Sequence, residues 1–349
     1  MSALTRTITT VFTLLLIAVL TSCVSLARST VTPHAPVPPG QDSGALLLDK
    51  HRVVESVIKV LPNPLDQAWS PDGKTLYLTH HSAGQISVIR HRQVVRTKYI
   101  GRNLTGIAIT ADGSTMYVGV AGENYVAVID AKSLAIKHKI PTGRWPLGVR
   151  LAKDGRYIAV ACYLSNHVEI ISTATFEKRV VPVGSNPFYL AISKYGHRVF
   201  VANHSSANVT MISVELSKRR ALKQKDIFVH VIKTLPVGRQ PVCVALSDDE
   251  KHLYVANYGS GTVSVVDVPG ERIEATWKVS TNPYWVAIHP KRAFVVVSHQ
   301  RNPAVFLFYS NGKRTRVQMK NGGVNMLFSR DGKRLVVSNF HSQTISIIE

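Results

Sequence analysis

The chain is short of cysteine, of acidic residues and of long apolar runs. Only three of its 349 residues are cysteine, Cys23, Cys162 and Cys243, and none sits in a CxxC, CxxCH or Cys/His-finger spacing. No metal site, c-type haem attachment or other cofactor is therefore expected. Asp and Glu number 21 against 42 Lys and Arg, a formal charge of +21 at pH 7. Such a field raises the encounter rate with nucleic acid, anionic lipid or acidic polysaccharide without choosing among them, and solubility alone is the plainer reading. No RNP1, helix-turn-helix or zinc-finger spacing accompanies the charge, so those readers of nucleic acid are excluded. The one marked apolar run, Val11 to Leu20, is ten residues long. As a helix it covers about 15 Å of a hydrocarbon core about 30 Å thick, too little to span it.

That run follows Arg6 and ends in Leu20-Thr21-Ser22-Cys23, which reads as the hydrophobic region of an export signal. The four residues resemble the bacterial lipobox, which implies acylation of Cys23 and cleavage before it. Residues 1–22 are then a signal peptide, and residues 23–50, with Pro33, Pro36, Pro38, Pro39 and Gly40, a lipidated tether. The alternative is ordinary cleavage after Ala27. The expected location is the bacterial cell envelope, with the protein held to a membrane by its lipid and facing the periplasm or the cell surface.

Residues 51–349 repeat. Each unit has a Pro-containing turn, a short apolar run, an Asp-Gly-type turn and two β-rich runs separated by a polar gap. The turn anchors are Gly73, Gly113, Gly155, Gly196, Glu250, Lys291 and Gly332, spaced by 40, 42, 41, 54, 41 and 41 residues. A period near 41 indicates a solenoid or propeller. Repeat five gives its four strands most clearly: Val242 to Leu246 (a), His252 to Asn257 (b), Thr262 to Val266 (c) and Arg272 to Lys278 (d). β-branched residues within the runs and Gly, Asn, Asp and Pro between them favour strands throughout. One such meander would leave both faces wet, so the repeats must stack, and radial closure protects their edges. An all-β, seven-bladed propeller of four-stranded antiparallel blades is expected.

The sequences Tyr254-Val255-Ala256-Asn257, Phe200-Val201-Ala202-Asn203 and Tyr117-Val118-Gly119, with turns such as Ser70-Pro71-Asp72-Gly73, resemble the YVTN-type β-propeller family. That family includes YncE-like periplasmic DNA-binding and surface-layer proteins, and the resemblance implies this fold and makes single-stranded DNA a candidate ligand. Closure follows from the residues themselves. The last repeat stops after strand c, Thr344 to Ile348, and an unassigned β-rich run, Arg52 to Val60, precedes the first. The N-terminal run is expected to complete the last blade.

Strand polarity puts the d–a and b–c connections at one end of the ring, here called the mouth. The d–a connections carry Arg102, Arg144, Trp145, Arg239 and Lys320, with Trp285 close behind. Counting eight residues from each anchor places His81, Tyr163, His204, Tyr258 and His299 at the b–c corners. Guanidinium groups pair with phosphate or carboxylate and aromatic faces stack bases or sugars. These residues together are thus candidates for holding an anionic polymer or single-stranded nucleic acid. The competing reading is that the rings plug the axial channel while the cations are solvated. A non-enzymatic binding protein is expected. The alternatives are an enzyme akin to propeller lactonases and streptogramin lyases, and a surface scaffold or adhesin. Mouth acids suited to catalysis are scarce, Asp66 and Glu123 being the nearest. A monomer is expected, with a protein partner left open. Cys162 and Cys243, in non-adjacent blades, are expected to be small buried hydrophobes without a disulfide.

Overall fold

The computed structural model describes residues 55–219, 221, 223–300, 302–309 and 313–349. The expected signal peptide, Cys23 and the tether lie outside the described residues. Seven four-stranded antiparallel sheets follow one another around the ring. Blade one comprises Pro64–Trp69, Leu76–His80, Gln85–Arg90 and Gln93–Tyr99, as strands a to d from the axis outward. Blade five comprises Pro241–Leu246, His252–Asn257, Thr262–Asp267 and Arg272–Lys278, each within a residue of the run read from the sequence. Burial falls outward: strand b of blade one is wholly buried, whereas strand d is almost wholly exposed. The core is therefore the set of contacts between neighbouring blades. Ala68, Tyr77 and Ile86 of blade one, for example, pack on Leu104, Ile107 and Met116 of blade two.

The repeated turn has a local cause. Ser70 Oγ donates to Asp72 Oδ1, which also accepts the Lys74 N–H, and Gly73 takes φ +68°. Ser329 and Asp331 repeat the pattern in blade seven. In blade five the left-handed slot is filled by Glu250 at φ +58°, a conformation glycine adopts without steric cost and an L side chain does not.

The asparagine that ends strand b in three blades pins b to c. Asn257 Nδ2 donates to Thr262 Oγ1 at 3.1 Å and Ser264 Oγ at 2.8 Å. Asn339 makes the same pair with Thr344 and Ser346, and Asn203 with Asn208 and Thr210. Each such buried bond stabilises the blade by about 1 kcal/mol. Blade three departs from this: the three equivalent positions hold Cys162, His167 and Glu169.

Blade seven takes its outer strand from the start of the ring. Glu55–Lys59 pairs antiparallel with Thr344–Ile348, in register from Glu55 opposite Ile348 to Lys59 opposite Thr344. Nearer the axis, blade one is joined to blade seven side by side: Gln67 Nε2 donates to Val336 O and Ser338 Oγ donates to Gln67 Oε1. The irregular spacing of 54 residues is an extension of blade four. Its strands c and d lengthen to Asn208–Leu216 and Ile227–Pro236, with a 3-10 turn at Gln224–Asp226 between them.

Candidate functional site

The mouth is assembled by backbone hydrogen bonds that tie each b–c corner to a d–a connection. His81 N–H donates to Asn63 O, Tyr163 N–H to Trp145 O, His204 N–H to Asn186 O and Tyr258 N–H to Gln240 O. These bonds bring the expected d–a and b–c residues to one end. They do not bring them into one cavity. Trp145, Tyr163, Tyr258, Trp285, His81 and His204 are all less than 9% exposed, whereas Arg102, Arg144, Arg239 and Lys320 stand in solvent. The rings expected to stack a ligand instead stack one another. Phe188 lies 5.9 Å edge-on to Tyr163 and 6.2 Å from Tyr284, which meets Tyr258 edge-on at 6.2 Å. Apolar burial of this kind outweighs the benefit of leaving the faces open for a ligand.

His299 is displaced from its expected place by one residue. In the a–b turn of blade six, His289 to Ala293, Lys291 lies one place before the true anchor position, so counting from it stops one residue short of the corner. His299 pairs with Pro283 as the last residue of strand b, where blades four and five have asparagine. Its ring packs edge-on to Phe306 at 4.8 Å. Gln300 holds the corner instead, and its Oε1 accepts the Tyr258 hydroxyl at 3.0 Å.

Burial also sets the charge of the mouth histidines. His81, His204 and His299 are each held down at about 4, and are neutral near pH 7. His81 Nδ1 lies 3.0 Å from Leu104 O, while the ring nitrogens of His204 and His299 make no hydrogen bond among the described residues. Groups of such low basicity are poor general bases at neutral pH. Burial likewise pushes the free Cys243 thiol up to about 12 and raises that of Cys162, so neither has the character of an activated nucleophile.

The acids are committed as well. Asp66, 2% exposed, accepts the backbone N–H groups of Gln67 and Ile107, Asn325 Nδ2 and Arg150 Nη1. Arg150 reaches from blade three to Asp66 in blade one, its guanidinium 4.7 Å from the Tyr189 ring and 5.9 Å from Trp285. It thus points into the channel and is satisfied there. Burial opposes its charge, but the charges of Asp66 and Tyr189 more than offset this and raise its pKa. Glu123 Oε1 accepts the Arg102 N–H at 2.9 Å. Glu55 accepts the Lys320 N–H and the Ser346 hydroxyl. Glu169 accepts the Gly143 N–H and two of the three hydrogen bonds from the Lys178 ammonium, whose third goes to Pro141 O.

A cavity with no signature in the sequence lies at the opposite end, between blades three, four and five. It encloses about 340 Å³ and is lined by Lys153 and Lys194 beside Asp248 and Glu250. The two signs cancel there, and the Lys194 N–H donates to Glu250. Basic residues of the c–d connections at that end are partly engaged too, Arg92 pairing with Glu349 at 2.6 Å and Arg219 lying 4.0 Å from Asp226.

The family model for the lactonase seven-bladed β-propeller matches residues 67–177 and 172–280, well over half the chain. The chain is also 26% identical to hydrazine synthase subunit beta of Kuenenia stuttgartiensis, across 35% of its own length and 45% of that protein. It thus spans less than half of that curated relative. Among solved structures it resembles virginiamycin B lyase from Staphylococcus aureus, with TM-score 0.69 and 13% identity over 85% of this chain and 99% of the lyase. A streptogramin B lyase structure gives TM-score 0.69 and 12% identity over 85% and 97%. These likenesses concern fold, and it is the family match that fixes kinship: the chain belongs to the lactonase family of seven-bladed β-propellers.

Proposed function

We propose that the protein is a non-enzymatic binding protein of the bacterial cell envelope that holds an anionic polymer against its mouth through the rim cations. One observation carries this reading. Arg144, Arg239 and Lys320 are exposed without a carboxylate partner among the described residues, and Arg102, half exposed, meets Glu123 only at 3.8 Å. The carboxylates that reach this end, Glu55, Glu123 and Glu169, are tied to backbone N–H groups or to Lys178. Unpaired cations around a ring suit a flexible polyanion. Binding is by charge, with little reading of sequence, because the aromatic faces are buried. Single-stranded DNA is a candidate through the YncE resemblance. A lyase or lactonase activity would need an acid or base free to move a proton near neutrality; the mouth histidines are held down at about 4, and Glu123 is engaged by the Arg102 N–H.

The test is a binding series against single-stranded DNA over a range of salt concentrations. Removing one phosphate-binding cation should reduce the log–log salt slope by about 0.7, so the triple variant Arg102→Gln, Arg144→Gln, Arg239→Gln should flatten it by roughly 2. Trp145→Ala should lower stability and leave the slope unchanged, since its ring is packed rather than offered. The reading fails if the triple variant binds normally while Lys218→Gln with Arg219→Gln, at the opposite end, abolishes binding. Attachment through Cys23 has its own test: Cys23→Ala should move the protein from the membrane fraction to the soluble one, and retention with unaltered mass refutes the lipobox.

A further inference from the structure

Blade three differs from blades four, five and seven at three linked positions. Where blade five has Asn257, Thr262 and Ser264, it has Cys162, His167 and Glu169, on the same adjacent strands and in the same register. Hydrogen-bonding side chains are thus replaced together by three of the residue types that ligate divalent metals. One ligand atom from each lies within 4.8 Å of the others. His167 Nε2 is 3.3 Å from Glu169 Oε1, close to the separation of about 3.3 Å that two tetrahedral ligands at about 2.05 Å from zinc must have. The third ligand needs a shift of about 1 Å to close on bond lengths near 2.3 Å for sulfur.

The surroundings suit a held ion. Gly143 leaves room beside the cluster, since a Cβ there would meet His167 Nε2 at 2.5 Å and Cys162 Cβ at 3.0 Å. Its N–H fixes Glu169 Oε1 at 2.9 Å, the kind of outer contact that orients a ligating carboxylate. Cys162 and Glu169 are buried, while the His167 side chain is 19% exposed, so the cluster opens to solvent on the imidazole side. A cation already lies there: Lys178 Nζ is 3.1 and 3.2 Å from the two Glu169 oxygens. It also donates to Pro141 O at 3.0 Å, but with its side chain 34% exposed the ammonium can exchange these bonds for water.

We propose that Cys162, His167 and Glu169 bind one divalent cation of the zinc class, with Lys178 as the built-in competitor for the carboxylate. Binding releases the Cys162 proton to solvent and leaves thiolate, carboxylate and metal electrically neutral. The fourth coordination position is left to water or to an anionic group arriving at the nearby mouth.

Cobalt(II) and zinc(II) titrations of the whole chain test this. One equivalent of cobalt should give a saturable thiolate-to-metal charge-transfer band in the near ultraviolet, and zinc should displace it and raise Tm. Cys162→Asn with Glu169→Ser restores two of the three blade-five residues and so should fold. It should abolish the band, whereas Cys243→Ala should retain it. Lys178→Met should tighten metal binding severalfold by removing the competitor. A band that persists in the double variant, or no band together with a Lys178→Met variant that only loses stability, overturns the proposal and leaves a structural ion pair.

Discussion

His204 sits 4% exposed among Phe188 and Tyr163 with both ring nitrogens unbonded among the described residues. Burial holds it at about 4 in the folded chain against 6.5 when exposed. Because the folded value is the lower one, stability is full above pH 6.5, falls as pH drops, and the loss is complete below about 4. His81 and His299 act in the same direction. Each imidazole removes up to about 1.4 kcal/mol per pH unit within that window. Denaturant melts at pH 7 and pH 5 should show His204→Leu losing less stability between the two than the unaltered chain. Equal losses would mean that the ring is protonated in place. Counting from the turn anchors places this residue, with His81, Tyr163 and Tyr258, at the mouth. It misses at His299 because Lys291 lies one place before the true anchor position. Side-chain burial was not legible, since it depends on which neighbour from another blade fills the space. The Cys162, His167 and Glu169 cluster was legible in principle, by aligning the blades column by column rather than searching along the chain for metal spacings.

At the scale of strands, the seam is the element that makes a ring of seven sheets. Glu55–Lys59 supplies the outer strand of a blade whose other three strands come from the far end of the chain. At about 1 kcal/mol per ladder hydrogen bond, deleting residues 51 to 60 should cost on the order of 4 kcal/mol. Deleting residues 24 to 45 should cost almost nothing by comparison. Calorimetry of the two truncations checks this, and equal melting would mean the seam strand is dispensable. This pairing could be read from sequence because two incomplete repeats, one at each end, sum to a whole one. The extension of blade four was legible only as an irregular spacing. Its ordering depends on hydrogen bonds such as those from Arg179 Nε to the carbonyls of Gln224 and Ile227, which join residues far apart in the chain.

Over the whole molecule, the sequence reports charge as a sum and the fold distributes it. The carboxylates of the repeated turns, Asp72, Asp112, Asp249 and Asp331, fall at the end away from the mouth and are tied up by their own turns. The rim arginines follow from topology, but that Arg144 and Arg239 lack a carboxylate partner among the described residues could be seen only once the blades were in place. The seam has one further consequence. Its strand climbs from Glu55, opposite Ile348 and near the ion pair of Arg92 with Glu349, toward the mouth at Lys59. The polypeptide therefore joins the ring from beneath, at the outer edge of blade seven. A bulky group attached close to Glu55 should therefore leave the rim cations open to a ligand in solution.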